Sequence, residues 1–385
     1  DRRHGRNAGG VDLFDKNEKI CDICQMNNME SQFWVSFPRR LAGARKMSGL
    51  SLRALSERLS KAVSYQTLSN WEKGKGDGLP EMSILERLAS ALNVRLDYLF
   101  EPIRQEIPQP EFRKRKSRLK VKEEAVVLEQ AQFGLDRYLE LEALAAASIT
   151  MVNPLADRPI RSLDDVEQAA EALRYAWDLG GNPIPQVVEM LEERGIRVLE
   201  AEAPDSFDGL AAWAGKIPFM LINRSVQDTC RLRFTLLHEL GHLLLQIPES
   251  IETKEVEKLC NRFASAFLFP ADAFKAHFGE TRRHITLQEL MSVKAEWGMS
   301  IAAIAYRAKD LKILSEEGHR RFTIACSQRG LKKNEPGAYA MAERPQRFRQ
   351  LALRCFAEEV ISGTKAASLM NQPYEAFLEE TLIVA

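Results

Sequence analysis

Phe234-Thr235-Leu236-Leu237-His238-Glu239-Leu240-Gly241-His242-Leu243-Leu244-Leu245 is the stretch from which the rest of the chain can be read. Its centre is His-Glu-x-x-His. Residues four apart share one face of an α-helix, so His238 and His242 can aim their imidazoles at a single point. Two neutral imidazoles at that spacing suit zinc. Glu239, beside the first ligand, is placed to hold and deprotonate a water. The flanking residues Phe234, Leu236, Leu237, Leu240, Leu243 and Leu244 are apolar, which predicts a buried helix. Two histidines and a glutamate inside a core need partners, and a metal supplies them.

A third ligand is expected from the following helix, Ile251 to Phe269, which Pro270 ends. Val256, Leu259, Cys260, Phe263, Ala264, Phe267 and Leu268 form its apolar stripe. Glu257 lies near the edge of that stripe and Glu255 further toward solvent. "RFTLLHELGHLLL" followed by "VEKLCNRFASAFLFP" resembles the ImmA/IrrE family of zinc metallopeptidases, whose second motif is Glu-x-x-Ala-Asn-x-Phe-Ala, then apolar residues and Pro. The resemblance implies that His238 and His242 are ligands, Glu257 the third ligand and Glu239 the general base. Cys260 stands where the family usually has Ala, and its small apolar side chain is expected only to pack.

At 385 residues the chain is long enough for two or three domains. Hydrophobic content of 45% and charged content of 28% are ordinary for a globular protein, and no run of about 18 apolar residues suggests a membrane span. The six cysteines are scattered, which suits a reducing cytoplasm better than a disulfide framework. The net charge is zero but uneven. Residues 33–122 hold 19 Lys and Arg against 9 Asp and Glu, a balance of +10, leaving −10 on the remainder. A basic front half is expected to meet an anion, most simply nucleic acid.

Residues 33–100 read as five short helices: Phe37–Met47, Leu52–Leu59 after an N-cap at Ser51, Tyr65–Lys73 after an N-cap at Ser64, Glu81–Leu92 and Leu96–Phe100. Two short helices joined by a tight turn in a basic surround predict a helix-turn-helix. The segment from Leu50 to Phe100, with Trp71-Glu72-Lys73-Gly74 and a Leu-Asp-Tyr-Leu finish, resembles the XRE/Cro-type DNA-binding domain. By that resemblance Ser64–Glu72 is the recognition helix. Leu68 and Trp71 are expected in its core, leaving Tyr65, Gln66, Thr67, Ser69 and Asn70 facing out. Gln66 and Asn70 carry the amide fork that pairs with adenine, and Thr67 can meet a thymine methyl. Arg39, Arg40, Arg45, Lys46, Lys73 and Lys75 are candidates for phosphate contact. Leu52 stands where relatives often have Gln, so their operators do not transfer.

The remaining chain falls into place around these two parts. Residues 1–32 read as a leader, disordered or not native, and the lone Cys21-x-x-Cys24 pair is given no role. Residues 101–122 read as a linker rich in Pro and then in Lys and Arg. Residues 123–150 read as a long amphipathic helix packing on the peptidase body or a second subunit. Ser162 caps a helix to about Leu179, Ile184–Arg194 forms the next, and strands follow at Ile196–Glu200, Gly209–Trp213 and Pro218–Asn223. A strand beside the zinc helix offers an edge to which an extended peptide can add. Residues 271–335 are read as helical, with Ser300 as an N-cap. Tyr306 is a possible oxyanion donor, weighed against plain core packing. Residues 336–385 read as a C-terminal helical module for docking or dimerisation.

The expected fold is mainly α with a small β-sheet (α+β). An all-α helix-turn-helix domain at 33–100 precedes a zincin-like metallopeptidase domain at 123–335, followed by the helical tail. The function implied is a DNA-binding transcriptional regulator that is also a Zn2+-dependent endopeptidase in the cytoplasm. By the resemblance, its substrate is a protein partner, a repressor or antitoxin, in stress response, toxin–antitoxin systems or mobile-element control. Its other partners would be a double-stranded DNA operator and, because such operators are usually two-fold, a second copy in a homodimer. The other reading is a non-proteolytic repressor or antitoxin whose zinc fold senses or dimerises. An intact Glu239 favours the enzyme, since a structural zinc site needs no base beside its ligand.

Overall fold

The computed structural model describes residues 33–76, 78–108, 119–331 and 334–381. The readings of 1–32, of Cys21 and Cys24, and of the basic run up to Arg118 lie outside the described residues. The chain divides into two compact units, one ending at Ile103 and the other beginning at Arg104.

The first unit holds helix α1 (33–47), α2 (Leu52–Arg58), α3 (Tyr65–Glu72), α4 (Met82–Leu92) and a 3-10 turn at Asp97–Leu99. Ser51 and Ser64 cap α2 and α3 as expected, each accepting from the backbone N–H three residues on. Between them Ser60 and Lys61 take left-handed backbone, and the Ser56 hydroxyl donates to the Val63 carbonyl, which tightens the turn. Phe37, Leu41, Leu55, Leu68 and Leu88 are fully buried and hold the helices together. α1 is also tied to α3 by a two-pronged pair, Arg45 Nε and Nη2 to Glu72 at 2.6 and 2.8 Å.

The second unit opens with α5 (Val121–Leu144), α6 (Leu163–Ala176) and α7 (Val187–Glu193). Strands β1 (Arg197–Ala201), β2 (Gly209–Ala214) and β3 (Ile217–Asn223) follow. They pair in the order β1-β3-β2, parallel between β1 and β3 and antiparallel between β2 and β3, so β2 is an edge. Then come α8 (Thr229–Leu244), α9 (Thr253–Leu268), α10 (Ala271–Phe278), α11 (Leu287–Trp297), α12 (Ile301–Asp310) and α13 (Glu316–Gln328). The last helices are α14 (Arg347–Ala357), α15 (Gly363–Leu369) and α16 (Tyr374–Glu380).

The sheet separates two cores because side chains alternate along a strand. Val198, Ala211, Met220 and Ile222 join the core of α6 to α12. Leu199, Leu210, Phe219 and Leu221 face the other way, onto Leu135 and Tyr138 of α5 and Leu351, Ala352 and Phe377 of the C-terminal helices. The tail read as a docking module is thus packed into the body of this unit. Residues 104–108, read as linker, are likewise held against α5. The Arg104 N–H donates to Asp136, the Ile107 N–H donates to Gln132, and Ile107 is buried. No described helix is long and apolar enough to cross a membrane. Cys230, Cys260 and Cys355 are buried and Cys326 is half-buried.

Two glycines fix the position of α8. A Cβ on Gly241 would lie 3.2 Å from the Phe263 ring and 3.4 Å from Cys260, so α8 and α9 pack closely enough here that an added methyl would press on the Phe263 ring. This is also why a small residue stands at 260. Gly298 ends α11 at φ +61, and a Cβ there would meet the Arg233 guanidinium at 2.4 Å. Arg233, on the buried side of α8, is 0% exposed and donates to the carbonyls of Ile184, Pro185, Trp297 and Gly298. The Ile184 and Pro185 carbonyls are therefore engaged, and α7 begins at Val187, three residues later than the pattern suggested.

Candidate functional site

α8 is capped by Asp228, whose carboxylate accepts from the Arg231 N–H. Leu232, Leu236, Leu237, Leu240 and Leu244 bury one side of it. The opposite stripe, Phe234, Thr235, His238, Glu239 and His242, is half-buried. α9 crosses close by at Gly241 and brings Glu257 to the two histidines.

The Nε2 atoms of His238 and His242 are 3.1 Å apart. Glu257 places Oε2 3.2 Å from His238 Nε2 and Oε1 3.4 Å from His242 Nε2. Four ligands held tetrahedrally at zinc's usual 2.0–2.1 Å would be separated by roughly 3.3 Å. The donor set and its spacings fit that ion. Among the described residues this is the group of His, Cys, Asp and Glu that could hold a metal. Burial disfavours charge on His238, but the hydrogen bonds and negative charges of Glu257 and Glu239, with Asn261, outweigh it and raise its pKa. The two imidazoles and their positive charge hold the Glu257 carboxyl well below the usual carboxylate range. A metal has to displace the proton on His238, so affinity should fall on acidification from above the ordinary imidazole range.

Sequence reasoning gave Asn261 no role, although it stands in the second motif. His238 Nδ1 lies 3.0 Å from Asn261 Oδ1, an amide oxygen that can only accept. The bond therefore puts the proton on Nδ1 and leaves the Nε2 lone pair for a metal. Asn261 is one helical turn from Glu257, so the spacing was present as a signal. Asn261→Ala is expected to weaken zinc binding about 10- to 100-fold, measured by competition with a chromophoric chelator. An unchanged affinity would mean that the tautomer is set by other groups.

Glu239 Oε2 accepts from the Ala211 N–H of edge strand β2 at 2.9 Å. A Cβ on Gly209 would touch Thr235 at 3.4 Å. Gly209 lies beside Thr235 and Ala211 beside Glu239, so strand and helix run alongside each other over this stretch. Tyr306, the possible oxyanion donor, is 51% exposed. Among the described residues its ring contacts are Lys309, with Nζ 3.8 Å from the ring centre, and His319. Neither belongs to the metal cluster.

On the first unit, Tyr65 and Gln66 are exposed, and Thr67, Ser69 and Asn70 half-buried. Leu68 is buried as expected, and Trp71 stands edge-on to Phe37. The Thr67 hydroxyl shares a hydrogen bond with Ser64 at 2.8 Å, which ties it to the cap. Lys73 and Lys75 are exposed and Arg39 half-buried. Arg40 corrects the reading of a phosphate contact. It is 2% exposed, donates to the carbonyls of Glu101 and Pro102, and lies over the Tyr98 ring. A guanidinium engaged by two carbonyls and an aromatic face stabilises the end of the domain and is not presented to DNA. Arg45 is similarly occupied by Glu72.

Comparison with family models matches residues 191–309 to the IrrE N-terminal-like domain and residues 41–99 to a helix-turn-helix. No curated protein matches the chain. The chain therefore joins an XRE-type helix-turn-helix to an IrrE/ImmA-like, metallopeptidase-like domain.

Proposed function

We propose that this protein is a DNA-binding regulator whose second unit is a zinc-dependent endopeptidase acting on a repressor or antitoxin partner. The observation that carries the reading is the convergence of His238, His242 and Glu257 beside a carboxylate, Glu239, aligned with a strand edge. Zinc held there supplies Lewis acidity to polarise a peptide carbonyl.

The chain's own residues do the rest. Asn261 keeps the His238 proton on Nδ1. Glu239 takes a proton from the attacking water and hands it to the leaving amine. The edge of β2 lies where an extended substrate can add as a further strand, holding its backbone in line with Glu239. Tyr306 is a candidate donor to the oxyanion only if substrate binding brings the two together. On DNA, Tyr65, Gln66, Thr67, Ser69 and Asn70 form the face offered to the major groove, with Arg39 and Lys73 toward phosphates. Two such domains in a homodimer would read a two-fold operator.

The test is metal content. Purified full-length protein is expected to hold one zinc per chain by elemental analysis, and His238→Ala and Glu257→Gln to lose it. Wild-type protein that takes up no zinc on reconstitution would sink the peptidase reading.

A further inference from the structure

We propose that a recess between α11, α12 and α13, apart from the metal cluster, binds a small organic carboxylate with an apolar body. The recess has a volume of about 290 Å3, at the small end of the range for ligand pockets. Its floor is apolar: Ile285, Leu290 and Leu314 are buried, and Phe322 closes one side. α13 is pinned at its start, where Ser315 caps it and Gly318 sits close to Leu314, but Gly318 is its one buried residue. Phe322 packs against the core, while the exposed Ala325 and half-buried Cys326 beside it line the recess.

The rim has one sign of charge. Arg283, His284, Arg321 and Arg329 line the recess, and among the described residues no acidic side chain does. Arg321 pairs with Glu317 one turn away on the same exposed helix surface, a contact that contributes little. Among the described residues, Arg283 and Arg329 have no carboxylate partner. Exposed arginines with no described carboxylate partner, lining a recess with an apolar floor, complement a ligand that is anionic at one end and hydrocarbon at the other. The planar fork of Arg matches a carboxylate with two parallel hydrogen bonds. A neutral hydrocarbon would leave the arginines unanswered, and the volume is too small for a dinucleotide.

The experiment is a calorimetric titration of the full-length protein with octanoate, using octan-1-ol as the uncharged counterpart. Saturable one-site binding of octanoate is expected, with octanol weaker by roughly tenfold or more. The double variant Arg283→Ala/Arg329→Ala should weaken octanoate by a similar factor. Ala325→Trp, which fills the recess from an exposed position on α13, should abolish binding with zinc content and helical circular dichroism unchanged. Should that variant fail to fold, the arginine pair still decides the matter. Absence of saturable binding, equal binding of octanol, or indifference to the arginine pair would overturn the proposal. Zinc content is read separately, so this site and the metal site can fail independently.

Discussion

Glu343→Ala is expected to destabilise the second unit by about 3–5 kcal/mol, the cost of removing one partner of a buried ion pair. Both side chains of the Arg233–Glu343 pair are 0% exposed. Glu343 does two jobs at once. One oxygen accepts from the Val187 N–H and the other from the Val188 N–H, each at 2.9 Å, so the carboxylate caps the start of α7. It also neutralises Arg233 on α8, and Tyr339 lies against the same guanidinium at 4.5 Å. Removing the carboxylate leaves a charge in the core and two helix N–H groups without an acceptor. Glu343→Gln should be less damaging, because the amide oxygen can still cap, but it too leaves the Arg233 charge unanswered. Denaturant midpoints for the second unit, read alongside zinc content, test this. A loss below about 1 kcal/mol for the Ala variant would mean that Arg233 reaches water or another anion.

Glu239→Gln is expected to keep its zinc and to cleave about 10^2- to 10^4-fold more slowly, the usual contribution of a positioned acid–base group. The substitution is nearly isosteric, and its amide oxygen can still accept the Ala211 N–H, so the strand and helix need not move. It removes only the ability to take a proton. The substrate is to be found by labelling new N-termini in cell extract treated with wild-type protein, and the rate is then compared on that protein. Equal cleavage by both proteins would remove Glu239 from the chemistry. No cleavage by zinc-loaded wild type would favour the regulator whose zinc fold senses or dimerises.

Much of the candidate site was legible because its signals are short-range. His238 and His242 are four residues apart, and Glu239 is next to the first. Ser51, Ser64, Ser162 and Ser300 cap their helices within three residues, as their hydroxyls accept from the N–H three positions on. Such features follow from the pitch of one helix. Arg40 was misread because an arginine near a helix-turn-helix carries no local mark of burial. What buries it are the Glu101 and Pro102 carbonyls about sixty residues away.

The sequence by itself determined that there is a helix-turn-helix, a buried helix carrying two imidazoles, and a second helix with a carboxylate to complete the set. Periodicity and capping act over one or two turns, and those turns hold the residues concerned. Only the tertiary structure decided what supports them. Arg233 finds Glu343 across 110 positions of chain, and the C-terminal helices turn out to be one wall of the second core. Asn261 comes to lie 3.0 Å from His238 Nδ1, and β2 comes to lie at an edge beside Glu239. A buried charge requires some partner, but which residue meets it depends on how the chain returns through space, and local pattern carries no information about that return.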